Sequence, residues 1–584
     1  MDRSGTPMRT ATAGIDSRPM GDRSALVVDV DFHTARAVLL ARVDDQYRFV
    51  SSYTVPSSAM PPIDDASVGA KQVIRGIEEH IGLFLVGPDG IEVPSSGDHG
   101  VDVFALTGQP VAPIRLSAVS VGTSPMLVPL VAAARRTVTV VDTLNDRVRT
   151  SDGVLSGVQL EAALREFRPD AVILIQGDSA EAEWSTAVGT LSGLVNDEVI
   201  GLIIIVAADS FQQHSTQVFG ERADLRGIDP SEFTVADIGV ALETELQGLY
   251  EARVSPNTLV ASVDSTRYVS RVRAVDLVTR FIARRREQAV SYIDMADGLV
   301  LHWANMDASD VVVRPDVDVF RNVRSVFDHD LSAVAQWLPT SVSSEDVSHW
   351  VLNRALRPHT LADMPHDSAI ERAVLLEQTR SIWTGMAAGP ESWIDTIVAG
   401  RPFTTMPQPG LAALTLLDLF QPDPEGGVVE LLLDTDGIVP AAGAIGERSP
   451  AIATDVIEND LLFPFATALI VRGSGTNGEL AVRGHIVQDN GETVRFTVPF
   501  GGLHHIPVVA ESSLTLSLTC ESGYTIGGQT SLADVSVGPE GMLRGGDFGV
   551  IIDARGRGAT GMGHGAARVK NWFDDLGVLT SESQ

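Results

Sequence analysis

Short, continuously apolar runs that end in acids recur along the chain and alternate with amphipathic segments. ALVVDVD (25–31), TVTVVDT (137–143), AVILIQGD (171–178), VIGLIIIVAADS (199–210) and VSYIDMADG (290–298) each read as a buried strand that delivers a polar loop. Between such runs, Val235, Ile238, Leu242, Leu246 and Leu249 fall on one helical face, with Thr234 placed as an N-cap. Strand and helix alternation of this kind predicts an α/β fold. From Asp310 to Ala388 the pattern becomes mainly helical, with Asp367 and Ser368 opening a stretch in which Ile370, Val374 and Leu375 share a face. VVELLLD (428–434) gives one more buried strand. From about Phe465 the period drops to two: Val494, Phe496 and Val498 alternate with polar neighbours, as do Leu514, Leu516 and Leu518. This predicts a separate β-rich region, closed by a short helix near Ala566 to Leu576.

Composition narrows the function classes. At 584 residues and 44% hydrophobic content the chain is long enough for several packed domains. A formal charge of −33 argues against nucleic acid or an anionic membrane as partner. Lysine occurs only as Lys71 and Lys570, which disfavours Schiff-base chemistry, and the lone Cys520 removes an intramolecular disulfide, thiolate zinc sites and iron–sulfur clusters. A cytoplasmic location is the expectation. Residues 1–22 lack the apolar core of a signal peptide and read as a disordered tail. The longest apolar run, Val199 to Ala208, is about half of the ~20 residues a membrane helix needs, so no membrane span is expected.

Several motifs read as turns or packing. Gly473 to Gly478 has GxGxxG spacing but leads into a period-two strand, and Gly556 to Gly561 lies too near the end of the chain for a dinucleotide-binding βαβ unit. His504 and His505 are adjacent between strands of the β-rich region, where consecutive side chains face opposite ways and cannot jointly hold one metal. No GxxxxGK[ST] or GxSxG stretch occurs.

The informative pair is Asp29 and Asp294, each ending an apolar strand before a loop. ALVVDVDFHTAR (25–36) and SYIDMADGLV (291–300) resemble the first and second phosphate loops of the actin-like ATPase superfamily. The resemblance implies a two-lobed, ribonuclease H-like clamp. Its loops approach phosphates through glycine backbone and hydroxyls, and its aspartates, here Asp29 and Asp294, hold hydrated magnesium. A closer likeness is to the glutamate mutase MutL family. It is carried by VPSSAMPPIDDASVGAKQVIRGIEEHIG (55–82), RPDAVILIQGDS (168–179), PQPGLAALTLLDLFQP (407–422), DGIVPAAGAIG (436–446), VPFGGLHHIPV (498–508) and FGVIIDARGR (548–557). Family members are implied to assist an adenosylcobalamin-dependent mutase through ATP-driven domain motion.

Departures from the pattern fall at the site itself. Asp31 stands for a glycine and Phe32-His33 for a hydroxyl, although Thr34 and Arg36 remain nearby. Ala296-Asp297 stands for a glycine pair before Gly298, with Leu299 and Val300 for hydroxyls, and near VAGRP only Gly400 of a glycine pair is kept beside Arg401 and Pro402. A carboxylate about 4 Å from a phosphate charge costs on the order of 4 kcal/mol at an effective dielectric of ~20. The expected arrangement is therefore a tail (1–22), a first lobe (23–290), a second lobe with helical insertion (291–460) and a β-rich end (461–584). Its degenerate nucleotide cleft is formed by Asp29, Asp31, Thr34, Asp294, Asp297, Gly298 and Gly400. No cofactor is expected unless the cleft still takes ATP with magnesium. The expected role is a hydrolysis-deficient scaffold or chaperone-like factor that contacts a protein partner, such as a cobalamin-dependent mutase. The alternatives are an ATP-dependent reactivating chaperone for that mutase and an assembling, homo-oligomeric subunit.

Overall fold

A computed structural model describes residues 24–87, 90–96, 99–178, 181–254, 268–328, 330–384, 394–508, 512–556 and 565–578. The chain divides into two compact units, one made of residues 111–255 with 311–316 and the other of the remainder.

The larger unit begins with β1 (Ser24–Val30), in which every residue is buried, as the unbroken apolar run predicts. β1 pairs antiparallel with β2 (Thr34–Val43), and β2 with β3 (Gln46–Pro56). On its other side β1 runs parallel to β4 (Val103–Gly108). Helix α1 (Arg271–Arg286), N-capped by the Ser270 hydroxyl, leads to β5 (Val290–Asp294). The pattern then repeats: β5 pairs antiparallel with β6 (Leu299–Ala304) and parallel with β7 (Thr396–Ala399), which is followed by β8 (Val428–Leu433) in parallel. In both lobes the first strand carries an aspartate at or next to its end, has a hairpin partner on one side and a later parallel strand on the other. The α/β class expected from the alternation of strands and helices is thus present, as two lobes of one repeated strand pattern.

One core joins the two lobes. It contains Ala25 and Val27 of β1, Val275 and Ile282 of α1, Tyr292 of β5, and Val439 and Ile445 of helix α2 (Ile438–Gly446). The two helices approach closely because Gly443 has no side chain: a Cβ there would lie 1.9 Å from the Ala274 carbonyl oxygen. The helical insertion is present as Ser344–Leu356 and Pro365–Thr384, the latter starting two residues before Asp367.

The strand-rich C-terminal region is also present, but it does not form a self-contained unit. Strands Ala466–Arg472, Gly549–Asp553 and Leu503–Ile506 extend the sheet beyond β8. A second sheet, ordered 493–499, 480–488, 514–520, 531–537, shares a core with them through Val482, Leu516, Leu469 and Val550. Val494, expected to face that core, is exposed, because its strand lies at the sheet edge and only Phe496 and Val498 reach inward. Gly473 and Gly478 lie in the connection between strands Ala466–Arg472 and Leu480–Gln488, as a turn should. Of the Gly556 to Gly561 stretch, 557–561 lies outside the described residues, as do the tail residues 1–23. His504 and His505 stack separately on Phe496 and Phe548. Among the described residues no helix is long and apolar enough to cross a membrane.

The smaller unit is a five-stranded, wholly parallel sheet in the order 224–228, 202–206, 171–176, 114–121, 139–144. Numbered along the chain, this is the doubly wound order 5-4-3-1-2, so the segment assigned to one first lobe contains a second α/β sheet. Its helix Val235–Arg253 starts with a capping box between Thr234 and Asp237. It buries Ile238, Leu242, Leu246 and Tyr250, four residues apart, which turns Val235 out to 40% exposure and leaves Leu249 half-buried.

Candidate functional site

The repeated strand pattern brings the two loops together. Asp29 lies opposite Arg36 in the β1–β2 hairpin, and Asp294 lies opposite Val300 in the β5–β6 hairpin. Asp29, Asp31, Asp294 and Asp297 are all at least nine-tenths buried. Carboxylates at that depth need compensation, and it comes from a residue that nothing local in the sequence marks.

Arg271, the first residue of α1, extends between the loops. Its Nη1 donates to Asp31 Oδ2 and lies 3.5 Å from Asp29 Oδ2, while Nη2 donates to Asp294 Oδ2 at 3.2 Å. Burial works against its charge, but the carboxylates of Asp29 and Asp294 outweigh this and hold the guanidinium well above its ordinary pKa. The place between Asp29 and Asp294 that the superfamily resemblance assigns to hydrated magnesium is thus taken by a tethered cation. Among the described residues no group of three or more His, Cys, Asp or Glu side chains could hold a metal ion.

The remaining bonds of these acids are local. Asp31 Oδ1 accepts from the Gln109 amide at 2.7 Å, and the Asp31 amide donates to the Thr34 carbonyl at 2.9 Å. Asp294 accepts from the amides of Ala296 at 2.8 Å and Arg401 at 3.1 Å. Gly400 leaves room that Asp294 itself fills: a Cβ at Gly400 would be 2.1 Å from Asp294 Oδ2. Gly298 has φ of +100° in the β5–β6 turn, where glycine relieves the backbone. Of the expected residues, Asp29, Asp31 and Asp294 converge directly, Asp297 borders them, and Gly400 makes space. Thr34 and Gly298 shape turns.

Phe32 and His33, which replace a hydroxyl, act as packing. His33 stacks between Phe320 at 4.3 Å and His359 at 4.7 Å, and Phe32 lies under the Arg321 guanidinium at 4.3 Å. Burial, with Arg401 adding, pushes the His33 pKa down to about 2, so the ring stays neutral. Asp297 accepts from the His33 amide at 3.2 Å, and burial raises its carboxyl to about 7, with Asp318 adding repulsion. The two negative intrusions expected from the sequence are therefore both muted, Asp31 by Arg271 and Asp297 by its raised pKa.

Three further charges border the site. Burial pushes Asp434 up to about 6 even though it accepts from the amides of Ile438 and Val439 at the start of α2. Arg36 donates to the Thr54 hydroxyl at 2.9 Å, and burial together with repulsion from Arg36 lowers Arg401 to about 10. Asp29 Oδ1, Asp297 Oδ1, His33 Nδ1 and the Tyr292 hydroxyl are buried without a hydrogen-bond partner among the described residues.

A magnesium–triphosphate does not fit this arrangement. The two carboxylates that would take the cation, Asp29 and Asp294, already share a guanidinium with Asp31, the glycine position of the first loop carries the buried Asp31 side chain, and the hydroxyl position carries an aromatic stack.

No protein-family model matches the chain, and no curated protein matches it. Among solved structures, a Ppx/GppA family member from Aquifex aeolicus aligns at 9% identity over 73% of this chain and 77% of its own, with a TM-score of 0.17. A carbohydrate kinase from Novosphingobium aromaticivorans aligns at 11% identity over 73% of this chain and 93% of its own, with a TM-score of 0.26. No residue role passes from either protein to this one, and neither bears the glutamate mutase name, so that likeness rests on the sequence segments alone.

Proposed function

We propose that this chain is a nucleotide-hydrolysis-deficient protein of the actin-like fold that acts as a scaffold or chaperone-like accessory factor through contact with a protein partner. The observation that carries the reading is Arg271, whose guanidinium joins Asp29, Asp31 and Asp294 into one buried ion cluster. Displacing it would leave three buried carboxylates facing an incoming polyphosphate, and breaking a buried pair costs about 3–5 kcal/mol before any ligand contact is made. Magnesium would have to supply that energy as well as its own dehydration.

The sequence likeness to the glutamate mutase accessory family supports a cobalamin-dependent mutase as the class of partner. Calorimetric titration with ATP and ADP in magnesium tests the reading. The expected result is no binding heat and no thermal stabilisation at millimolar nucleotide. Tight binding that is lost in Asp29→Ala and Asp294→Ala would replace it with the ATP-dependent reactivating chaperone.

A further inference from the structure

Helix α1 inverts the charge of the molecule. The chain carries −33 overall, yet this helix has six arginines and one aspartate in its 16 residues. Arg271 at its first position belongs to the buried cluster. Farther along, Leu277, Arg280, Phe281, Arg284 and Arg285 line an open groove of about 450 Å³. Its floor is apolar, from the half-buried Leu277 and Phe281, and its rim is cationic.

Arginines in a last helical turn complement the helix dipole, which accounts for some of this charge. It does not account for the groove. Arg286 is committed to Glu430 and the Leu462 carbonyl. Arg280 pairs with Asp276 and Arg285 with Glu458, but these are partly exposed pairs, of the weak, salt-screened kind that a partner's carboxylates can replace. Arg284 is exposed, with no carboxylate in salt-bridge distance among the described residues. An apolar floor flanked by arginines is the composition of a recognition surface, where aromatic and arginine side chains are enriched.

We propose that this groove docks an acidic segment of a partner protein, with apolar side chains seated on Leu277 and Phe281 and carboxylates on Arg280, Arg284 and Arg285. Charge complementarity selects the occupant: Arg284 offers an exposed guanidinium over the apolar floor, and an acidic segment can engage it while exchanging for Asp276 and Glu458 at Arg280 and Arg285. The inference rests on the scaffold reading, because it supplies the contact that reading requires. It also places that contact on the helix whose first residue fills the cleft, six residues before Leu277.

Fluorescence anisotropy tests it on the full chain, with a labelled helical peptide of alternating Glu-Leu/Phe turns and the same peptide with lysine for glutamate. The glutamate peptide is expected to bind, to weaken as salt is raised, and to lose about tenfold or more in affinity with Arg284→Glu. Phe281→Ser is expected to weaken binding without changing the salt dependence. Equal binding of the lysine peptide, indifference to Arg284→Glu, or loss of the groove to self-association would overturn the proposal. Arg271→Gln separates the two readings: peptide binding is expected to survive it, whereas the nucleotide behaviour of the cleft is not. Tight ATP binding by the wild type would refute the filled cleft and leave the peptide result standing on its own.

Discussion

Of the buried ionic centres in the larger unit, the one around Arg555 and the one around Arg271 are finished to different degrees. At the first, Arg555 donates to both oxygens of Asp553 and to Asp418, and Arg372 takes the other Asp418 oxygen. Trp572 and Phe573 of the C-terminal helix cover the two guanidiniums at 4.9 and 5.4 Å. Every carboxylate oxygen there has a partner, and the one buried side-chain polar atom of these four residues without a partner among the described residues is Arg372 Nε. At the second, a single guanidinium serves three carboxylates from two hairpins, and Asp29 Oδ1 and the Tyr292 hydroxyl are left without partners among the described residues. The first centre ties the helical insertion to the chain's end. The second holds three buried carboxylates around one guanidinium.

Removing the two arginines should expose this difference most strongly. Arg271→Ala and Arg555→Ala are each expected to destabilise the protein by about 3–5 kcal/mol, since both leave buried carboxylates uncompensated. Only Arg271→Ala should recover stability with millimolar magnesium, because removing the guanidinium leaves three buried carboxylates free to close on a cation, and binding to the native state stabilises by mass action. At the other centre Arg372 still covers Asp418 and repels a metal. Thermal denaturation with and without magnesium reads both outcomes.

The next effect concerns protonation. Asp297 is raised from 3.8 to about 7, and Asp318 and Asp434 to about 6, chiefly by burial. A raised carboxyl binds more protons in the native state than in the unfolded one, so its contribution to stability falls as pH rises from about 4 to about 7. Asp297→Asn removes that loss and keeps an acceptor for the His33 amide. It should match wild type near pH 4 and exceed it above pH 7 by on the order of 2–4 kcal/mol, as read from urea denaturation across pH. An unchanged difference across that range would show that Asp297 titrates normally.

Smaller effects set the scale. Gly400→Ala forces a methyl group against Asp294 and should cost about 1–3 kcal/mol. Thr234→Ala, which removes an N-cap in the smaller unit far in sequence from either centre, should cost about 1 kcal/mol and leave the magnesium response unchanged. Chemical denaturation of both variants gives the comparison.

The contrast between the centres also explains what the sequence made legible. Asp29 and Asp294 stand out because each terminates a buried apolar strand, and Asp31 and Asp297 stand out as acids where the superfamily pattern has glycine. Arg271 has no such signature. It is 240 residues from Asp31 and begins an arginine-rich helix, where nothing distinguishes an inward side chain from five others. Arg555 and Asp418, 137 residues apart, were hidden for the same reason. Strands were legible wherever apolar runs were unbroken, but their parallel order in the smaller unit depends on crossovers that periodicity does not encode. In the helix after Thr234 the face was read one residue off at its end, because Tyr250 continues the spacing of four that Leu249 breaks.

The central claim is that Arg271 occupies the cation position between the two hairpins, and anomalous scattering from crystals grown in millimolar manganese tests it most directly. The account predicts no manganese peak among Asp29, Asp31 and Asp294 in the wild type and a peak there in Arg271→Ala. Manganese bound at those carboxylates in the wild type, with the guanidinium displaced, would contradict it.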